Sequence, residues 1–153
     1  MHEQAIERAV HSVFVDSELH SKQVLSIGHA VVGVAHATLA GVANFGRAAA
    51  AARGTEPKHG IKQFDRLLSN EKINLEDAWD SYLRFVLGNR WKDVVALDWT
   101  DYADGTHHQI ALNLITRHGR ATPLLWKTVT SSELTNRRNA YEDELLRREW
   151  MPS

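Results

Sequence analysis

The sequence predicts an α+β fold in which a helical N-terminal region precedes a three-strand antiparallel meander and one helix. Three observations predict this fold class. Apolar residues recur at helical spacing through the first part of the chain. After Asn89 the pattern changes to short runs rich in β-branched residues. Asp104-Gly105, between two of these runs, is a typical hairpin-turn dipeptide. We therefore predict two domains, residues 1–88 and residues 89–153.

The first three helical segments are bounded by capping and stop residues. Apolar residues from Ile6 to Phe14 recur every three or four positions and predict the first helix. Asp16 and Ser17 are predicted to cap a second helix that runs through VLSIGHAVVGVAHA. The stretch TLAGVANFGRAAAAARG predicts one or two short helices that end at Gly54.

Two further helices complete the N-terminal region. Pro57 fits the first turn of a helix formed by KHGIKQFDRLLSN. Asn74 is predicted to cap the next helix, and Gly88 lies just past its end. That helix is expected to bury a stripe formed by Leu75, Trp79, Tyr82 and Val86.

Three strands are predicted after the helices. DVVALD forms the first strand and ends at Asp98, and HHQIALNLIT forms the second with alternating apolar residues. Gly119 marks a turn before the third strand, ATPLLWKTV. Proline cannot donate a hydrogen bond to a neighbouring strand, so Pro123 predicts that the third strand lies at a sheet edge.

The first strand is apolar at every position from Val94 to Leu97. Such a strand is usually covered on both faces and flanked on both sides, so we expect it to be central. The meander supplies only one neighbour. The only later element is a helix, opened by the capping-box pair Thr130 and Glu133 and running to about Glu149.

Composition excludes several classes of protein. The chain has 153 residues, 43% hydrophobic and 24% charged, which is typical of a globular protein rather than a disordered one. It has no cysteine, so disulfides and thiolate metal sites are excluded. Its formal net charge is -1, so any attraction to nucleic acid must come from a local patch.

The segment from Gln23 to Gly46 has no Asp, Glu, Lys or Arg and is long enough to cross a bilayer. His29, His36 and Asn44 interrupt it, and such polar groups are costly in lipid. The N-terminus lacks the apolar core of a signal peptide. We therefore predict packed helices and no membrane segment.

A local basic patch is predicted in the helical region. Lys58, Lys62 and Arg66 follow one another at four-residue spacing, so they lie along one side of a helix. Arg47 and Arg53 precede them in the neighbouring segment. Phosphates are the natural partner of such a strip, and an ordinary solvated helix face is the alternative interpretation.

Four stretches, in their order and spacing, resemble the DDE transposases of the insertion-sequence-four type. They are KHGIKQFDRLLSN, ALDWTD, HGRATPLLW and ELTNRRNAYEDELL, and the resemblance extends from about Ala30 to Arg147. It implies a bacterial, cytoplasmic protein whose helical domain binds the terminal inverted repeats of a mobile element. The strands and last helix would then begin an RNase H-like catalytic domain. On the basis of this resemblance we assign the DNA-binding role to five basic residues: Arg47, Arg53, Lys58, Lys62 and Arg66.

The resemblance also implies a metal-dependent recombinase. In that family two Asp and one Glu hold two ions of Mg²⁺ or Mn²⁺, which activate water or a DNA 3′ hydroxyl. Asp98 matches the first acid and is our candidate catalytic and metal-binding residue. One carboxylate cannot fix two ions about 3.5–4 Å apart, so weak or absent metal binding is expected. The later acids lie on the last helix or its cap and do not end a strand: Glu133, Glu142, Asp143, Glu144 and Glu149.

The resulting expectation is a truncated N-terminal portion of a transposase. It would bind element-end DNA but would not cleave or transfer strands on its own. The alternative is a non-catalytic DNA-binding protein that regulates or inhibits transposition. Besides DNA, the expected partners are a second copy of the chain or a full-length transposase. Without a fourth strand, the first strand would present an open apolar edge. Residues 90–153 are therefore expected to be less stable than residues 1–88.

Overall fold

A computed structural model describes residues 3–88, 94–116 and 120–147 of the chain. These residues form seven helices and one three-stranded antiparallel sheet, so the predicted mixture of helices and strands is confirmed. None of the described helices is both long and apolar enough to span a bilayer. The elements are α1 (Glu3–Val13), α2 (Ser21–His36), α3 (Val42–Ala52), α4 (Pro57–Leu68), α5 (Leu75–Leu87), β1 (Val95–Asp101), β2 (His107–Ile115), β3 (Ala121–Thr130), α6 (Ser131–Leu134) and α7 (Arg138–Arg147).

The chain divides into two compact units, which are described separately. The helical unit is Met1–Val86 and the sheet unit is Leu87–Ser153. In the helical unit, Pro57 begins α4 as predicted. Asn74 caps α5 as predicted, since its side-chain oxygen accepts a hydrogen bond from the backbone N–H of Asp77 at 3.2 Å. Gly88 follows α5 with a φ of 57°, a left-handed conformation that favours glycine.

The start of α2 differs from the prediction. His20 caps the helix, because its ring Nδ1 accepts a hydrogen bond from the Lys22 N–H at 3.2 Å. The Gln23 side chain in turn accepts from the His20 N–H at 2.8 Å, which completes a capping box. The predicted caps, Asp16 and Ser17, are wrong. The Ser17 hydroxyl instead donates at 2.8 Å to the carbonyl three residues before it, within the turn that follows α1.

An apolar cluster forms the core of the helical unit where α1 and α2 meet. Ile73 and Ala78, on either side of the start of α5, pack against this cluster. Leu75 is 76% exposed, so the predicted buried stripe is wrong at that position. Its other three positions, Trp79, Tyr82 and Val86, are only partly buried, and the buried residues of α5 are Ser81 and Leu83. The buried members of the cluster are Ile6, Val10, Leu19, Val24 and Val32.

Three glycines allow α2, α3 and α4 to pack closely. A Cβ atom placed on Gly46 of α3 would lie 2.6 Å from the backbone nitrogen of Ile61 in α4. A Cβ on Gly60 of α4 would collide with the Gly46 carbonyl oxygen and lie 2.8 Å from the Cβ of Ala50. Gly33 of α2 meets the carbonyl of Phe45 in the same way. The backbones of these helices are therefore in direct contact, which fixes the position of α4.

The sheet has the order β1-β2-β3, so β3 lies at an edge as Pro123 predicted. Pro123 pairs with Asn113 at the register shift between β2 and β3. One face of β2 is covered: Ile110, Leu112 and Leu114 are at most 1% exposed. Those three form the core of the sheet unit together with residues of β3 and α7.

The first strand differs from the prediction in its length and position. β1 continues for three residues beyond Asp98, to Asp101, because the hydrogen-bonded ladder with β2 extends to the turn. That turn has Gly105 at a φ of 65°, as the predicted Asp104-Gly105 turn requires. Among the described residues β1 is an edge strand rather than a central one. The predicted turn at Gly119 lies outside the described residues.

The segment after β3 forms two helices instead of one. Thr130 and Glu133 form the predicted capping box, in which the Thr130 N–H donates to the Glu133 carboxylate at 2.8 Å. The helix that they open has only four residues. Asn136 then adopts a φ of 58°, and this left-handed residue separates α6 from α7. The prediction of one continuous helix is wrong, and Glu149 lies outside the described residues.

Candidate functional site

A basic groove runs between α2 and α4 in the helical unit. Its volume is about 500 Å³. Three of its lining residues are Lys or Arg, and no Asp or Glu lines it. The groove therefore concentrates positive charge on a chain whose formal net charge is -1. The lining residues are Lys22, Gln23, Ser26, His59, Lys62, Gln63, Arg66, Leu67 and Asn70.

The three cations reach the groove from two helices. Lys62 and Arg66 are four residues apart on α4 and so lie on one side of it, as the sequence predicts. Lys22 is the second residue of α2 and faces them across the groove. All three residues are exposed, and within the described ranges their side chains form no hydrogen bond or ion pair. They are free to bind an anion.

The amide side chains of the groove are already bonded within the protein. Gln63 accepts a hydrogen bond from Arg53 Nη1 at 2.8 Å, and its Nε2 lies 3.0 Å from His29 Nδ1. Gln23 accepts from the backbone of His20 and donates to the Lys72 carbonyl at 3.2 Å. Asn70 accepts from the Lys72 N–H at 3.1 Å. These bonds hold the walls of the groove together.

His29 connects the groove to α1. Its ring is buried and bonds Gln63 on one side, while its Nε2 lies 3.5 Å from the Glu7 carboxylate on the other. Burial lowers the pKa of His29 and the positive charge of Arg53 lowers it further, whereas Glu7 opposes the shift. The imidazole is therefore held neutral, with Nδ1 free to accept from Gln63.

Acidification is expected to destabilise the helical unit through His29. Because the pKa of His29 is lowered on folding, the unfolded chain takes up a proton at a higher pH than the folded chain does. Stability from this residue is thus complete above about pH 6.5 and is lost as pH falls below it. Thermal unfolding between about pH 8 and pH 5 measures the effect. A His29→Gln variant should lose this part of the pH dependence, and an unchanged profile would contradict it.

The remaining predicted DNA-binding residues lie outside the groove. Lys58 is exposed and its Nζ lies 3.4 Å from a Glu56 carboxylate oxygen. Arg47 donates to the Asn44 side chain at 2.9 Å on α3. Arg53 donates a hydrogen bond to Gln63 and does not line the groove. The structure therefore brings together Lys62 and Arg66 and adds Lys22, and the role of all these residues in DNA binding stays a prediction.

Asp98 lies on the open face of the sheet, which is the face opposite Ile110 and Leu112. Adjacent residues of a strand point to opposite faces, and the next residue, Trp99, donates to the Glu142 carboxylate of α7 at 2.9 Å. Asp98 pairs with Ala111 of β2 and is exposed. Its neighbours on the open face of β1, at positions 96 and 100, are alanine and threonine.

The described residues do not fit a two-metal site around Asp98. In the described part of the chain, no three His, Cys, Asp or Glu side chains are grouped where they could hold a metal ion. Asp101 lies on the other face of β1 and bonds His108 Nδ1 at 2.6 Å. Asp104 bonds His107 in the turn at 3.1 Å.

A hydrogen-bonded chain joins the β1–β2 hairpin to α6. His108 bonds Asp101 through Nδ1, and its Nε2 lies 2.9 Å from the Ser131 hydroxyl. The Ser131 hydroxyl also donates at 2.9 Å to the Gly105 carbonyl in the turn. The hydrogen bond from His108 lowers the pKa of Asp101. These contacts connect the turn to the start of α6. Asp101, His108 and Ser131 therefore have a structural role.

Comparison with known proteins identifies no relative. No protein-family model matches the chain, and no curated protein or solved structure matches it either.

Proposed function

We propose that this chain binds DNA in the basic groove of its helical unit. The observation that supports the proposal is the convergence of Lys22, Lys62 and Arg66, three cations without a partner among the described residues, on a groove that no described Asp or Glu lines. Phosphate is the anion that occurs in regular series along a polymer, and Lys and Arg are its usual protein partners. A DNA backbone therefore offers phosphate partners for these cations.

The resemblance of the sequence to DDE transposases of the insertion-sequence-four type extends this proposal. It makes the helical unit an element-end binding domain and the sheet unit part of an RNase H-like domain. Asp98 would be the first metal-binding acid of such a domain, with Mg²⁺ or Mn²⁺ as the ion. A single carboxylate does not support strand transfer, so we propose a protein that occupies DNA without cutting it alone.

A second candidate is a regulator of transposition. The combination of a cationic groove with an isolated Asp98 favours it, because a protein that binds element ends without cutting them would exclude an active transposase. Pairing with a full-length transposase would have the same effect. Both candidates require the groove to bind DNA, so one experiment tests their common step.

Removing the groove cations is expected to weaken DNA binding. Each exposed contact between a cation and a phosphate contributes modestly, so Lys22→Ala, Lys62→Ala or Arg66→Ala should each reduce affinity about three- to fivefold. The triple variant should lose about 50-fold if the effects add. Three phosphate contacts also predict that log K falls against log salt with a slope of about −2.7, which the triple variant should lose.

Fluorescence anisotropy with a labelled duplex of about two helical turns measures these affinities. Arg84→Ala is the matched control, because Arg84 is an exposed cation on α5 that does not line the groove. It should leave affinity almost unchanged. Equal binding by the triple variant and the original chain would refute the proposal.

A further inference from the structure

We propose that the basic groove holds the sugar–phosphate backbone of nucleic acid and does not read its base sequence. The inference rests on the proposed function and specifies the part of the DNA that the site recognises. The groove is therefore not the surface that selects a DNA sequence. It follows from the shape of the groove, from the bonding of its amides and from the freedom of its cations.

Shape is the first argument. The cations line a concave groove between two helices. Base edges are recessed at the bottom of the DNA grooves, the major groove being about 8.5 Å deep, so reading them requires a protruding helix or ribbon. The phosphate backbone is the part of the duplex that protrudes. A concave protein surface with cations on both walls therefore fits a backbone ridge.

The bonding of the amides is the second argument. Asn and Gln recognise adenine by donating and accepting at the same time. Both ends of the Gln63 amide are bonded, to Arg53 and to His29, and both ends of the Gln23 amide are bonded as well. The Asn70 oxygen already accepts from the Lys72 backbone. The Gln63 and Gln23 amides are thus oriented by bonds within the protein, and turning either one toward a base edge would break a bond that joins α2 to α4 or to the segment after α4.

The free groups are the third argument. In the described part of the chain, the groove groups without a bond to the protein are the cations of Lys22, Lys62 and Arg66, together with the ring of His59, the hydroxyl of Ser26 and the Nδ2 of Asn70. A hydroxyl or a single ring nitrogen does not distinguish one base pair from another, because it lacks the paired donor and acceptor. The three cations lie on opposite walls of a concave groove, and phosphate oxygens are their partners in the inferred complex.

A selection experiment with the full chain tests the inference. The probe is a pool of duplexes of about two helical turns with a randomised centre, and bound duplexes are separated and sequenced. A base contact discriminates by about fivefold or more at its position. We expect any enriched base pattern to be the same for the original chain and for Arg66→Ala, because the groove contributes no base contact, and inorganic polyphosphate should compete with the DNA because it carries phosphates without bases.

A substitution that preserves charge provides a second readout. Lysine retains the cation at position 66 but cannot form the planar fork with which arginine recognises guanine. Arg66→Lys should therefore bind every duplex nearly as well as the original chain, whereas Arg66→Ala should weaken all of them equally. A base pattern that the original chain enriches and Arg66→Ala loses, or a rank order of duplexes altered by Arg66→Lys, would overturn the inference alone. Failure to retain any duplex would overturn both the inference and the proposed function.

Discussion

Gly60→Ala is expected to lower the free energy of unfolding of the helical unit by about 3 kcal/mol, the upper part of the range for overpacked cores. The new methyl group would collide with the Gly46 carbonyl oxygen and would lie 2.8 Å from the Cβ of Ala50. A backbone carbonyl cannot rotate away as a side chain can, so α3 and α4 would have to separate. The same reasoning applies to Gly46→Ala, whose methyl group would meet the backbone of Ile61.

Gly28→Ala is the matched control for this result. Gly28 is also inside a helix, α2, but its added Cβ would lie 3.7 Å from its nearest neighbour, a side-chain carbon of Glu7. In that space alanine should raise stability by up to about 1 kcal/mol, because it restricts the unfolded chain and favours helix. Urea unfolding followed by far-ultraviolet circular dichroism measures both variants. Equal stabilisation by the two substitutions would show that the helices are not in backbone contact.

Leu112→Ala is expected to have a similarly large effect on the sheet unit. Leu112 lies in the central strand with 0% exposure, between Leu97 of β1 and Leu125 of β3. Truncating a fully buried leucine removes its transfer free energy and leaves a cavity, which together amount to about 3 kcal/mol. A three-stranded sheet with one covered face has few other apolar contacts to compensate for the loss.

Ile115→Ala, on the same strand, separates a packing effect from a loss of strand propensity. Ile115 is 45% exposed and points to the open face, so its truncation should cost less than about 1 kcal/mol. Hydrogen exchange of the β2 amides in the full chain measures both variants without requiring the units to unfold together. Leu112→Ala should accelerate exchange strongly and Ile115→Ala weakly. Comparable exchange in the two would contradict the assignment of the covered face.

Local signals predicted many boundaries of the fold. Pro57 begins α4 and Asn74 caps α5 because each acts on its own backbone or on the next turn. The Asp104-Gly105 turn likewise depends on two adjacent residues. The start of α2 was predicted wrongly because histidine is not among the preferred capping residues, so His20 gave no recognisable local signal.

Features that depend on distant residues could not be predicted from the sequence. Lys22 reaches the groove because α2 packs beside α4, and no spacing in the sequence relates it to Lys62. Arg53 carries the same charge as its neighbours, yet it bonds Gln63 and does not line the groove. The glycines at positions 46 and 60 had a detectable signal, since glycine inside a helix is unfavourable unless packing requires it.

The outer edge of β1 has a kinetic consequence. The Tyr102 N–H bonds the His107 carbonyl at 3.1 Å, so the even-numbered residues of β1 direct their main-chain groups to β2. Those of Val95, Leu97 and Trp99 point outward, with no partner strand among the described residues. An incoming strand could dock there without any prior opening of the folded chain. The rate of this association between chains would rise with protein concentration and would be nearly independent of the free energy of unfolding of the helical unit.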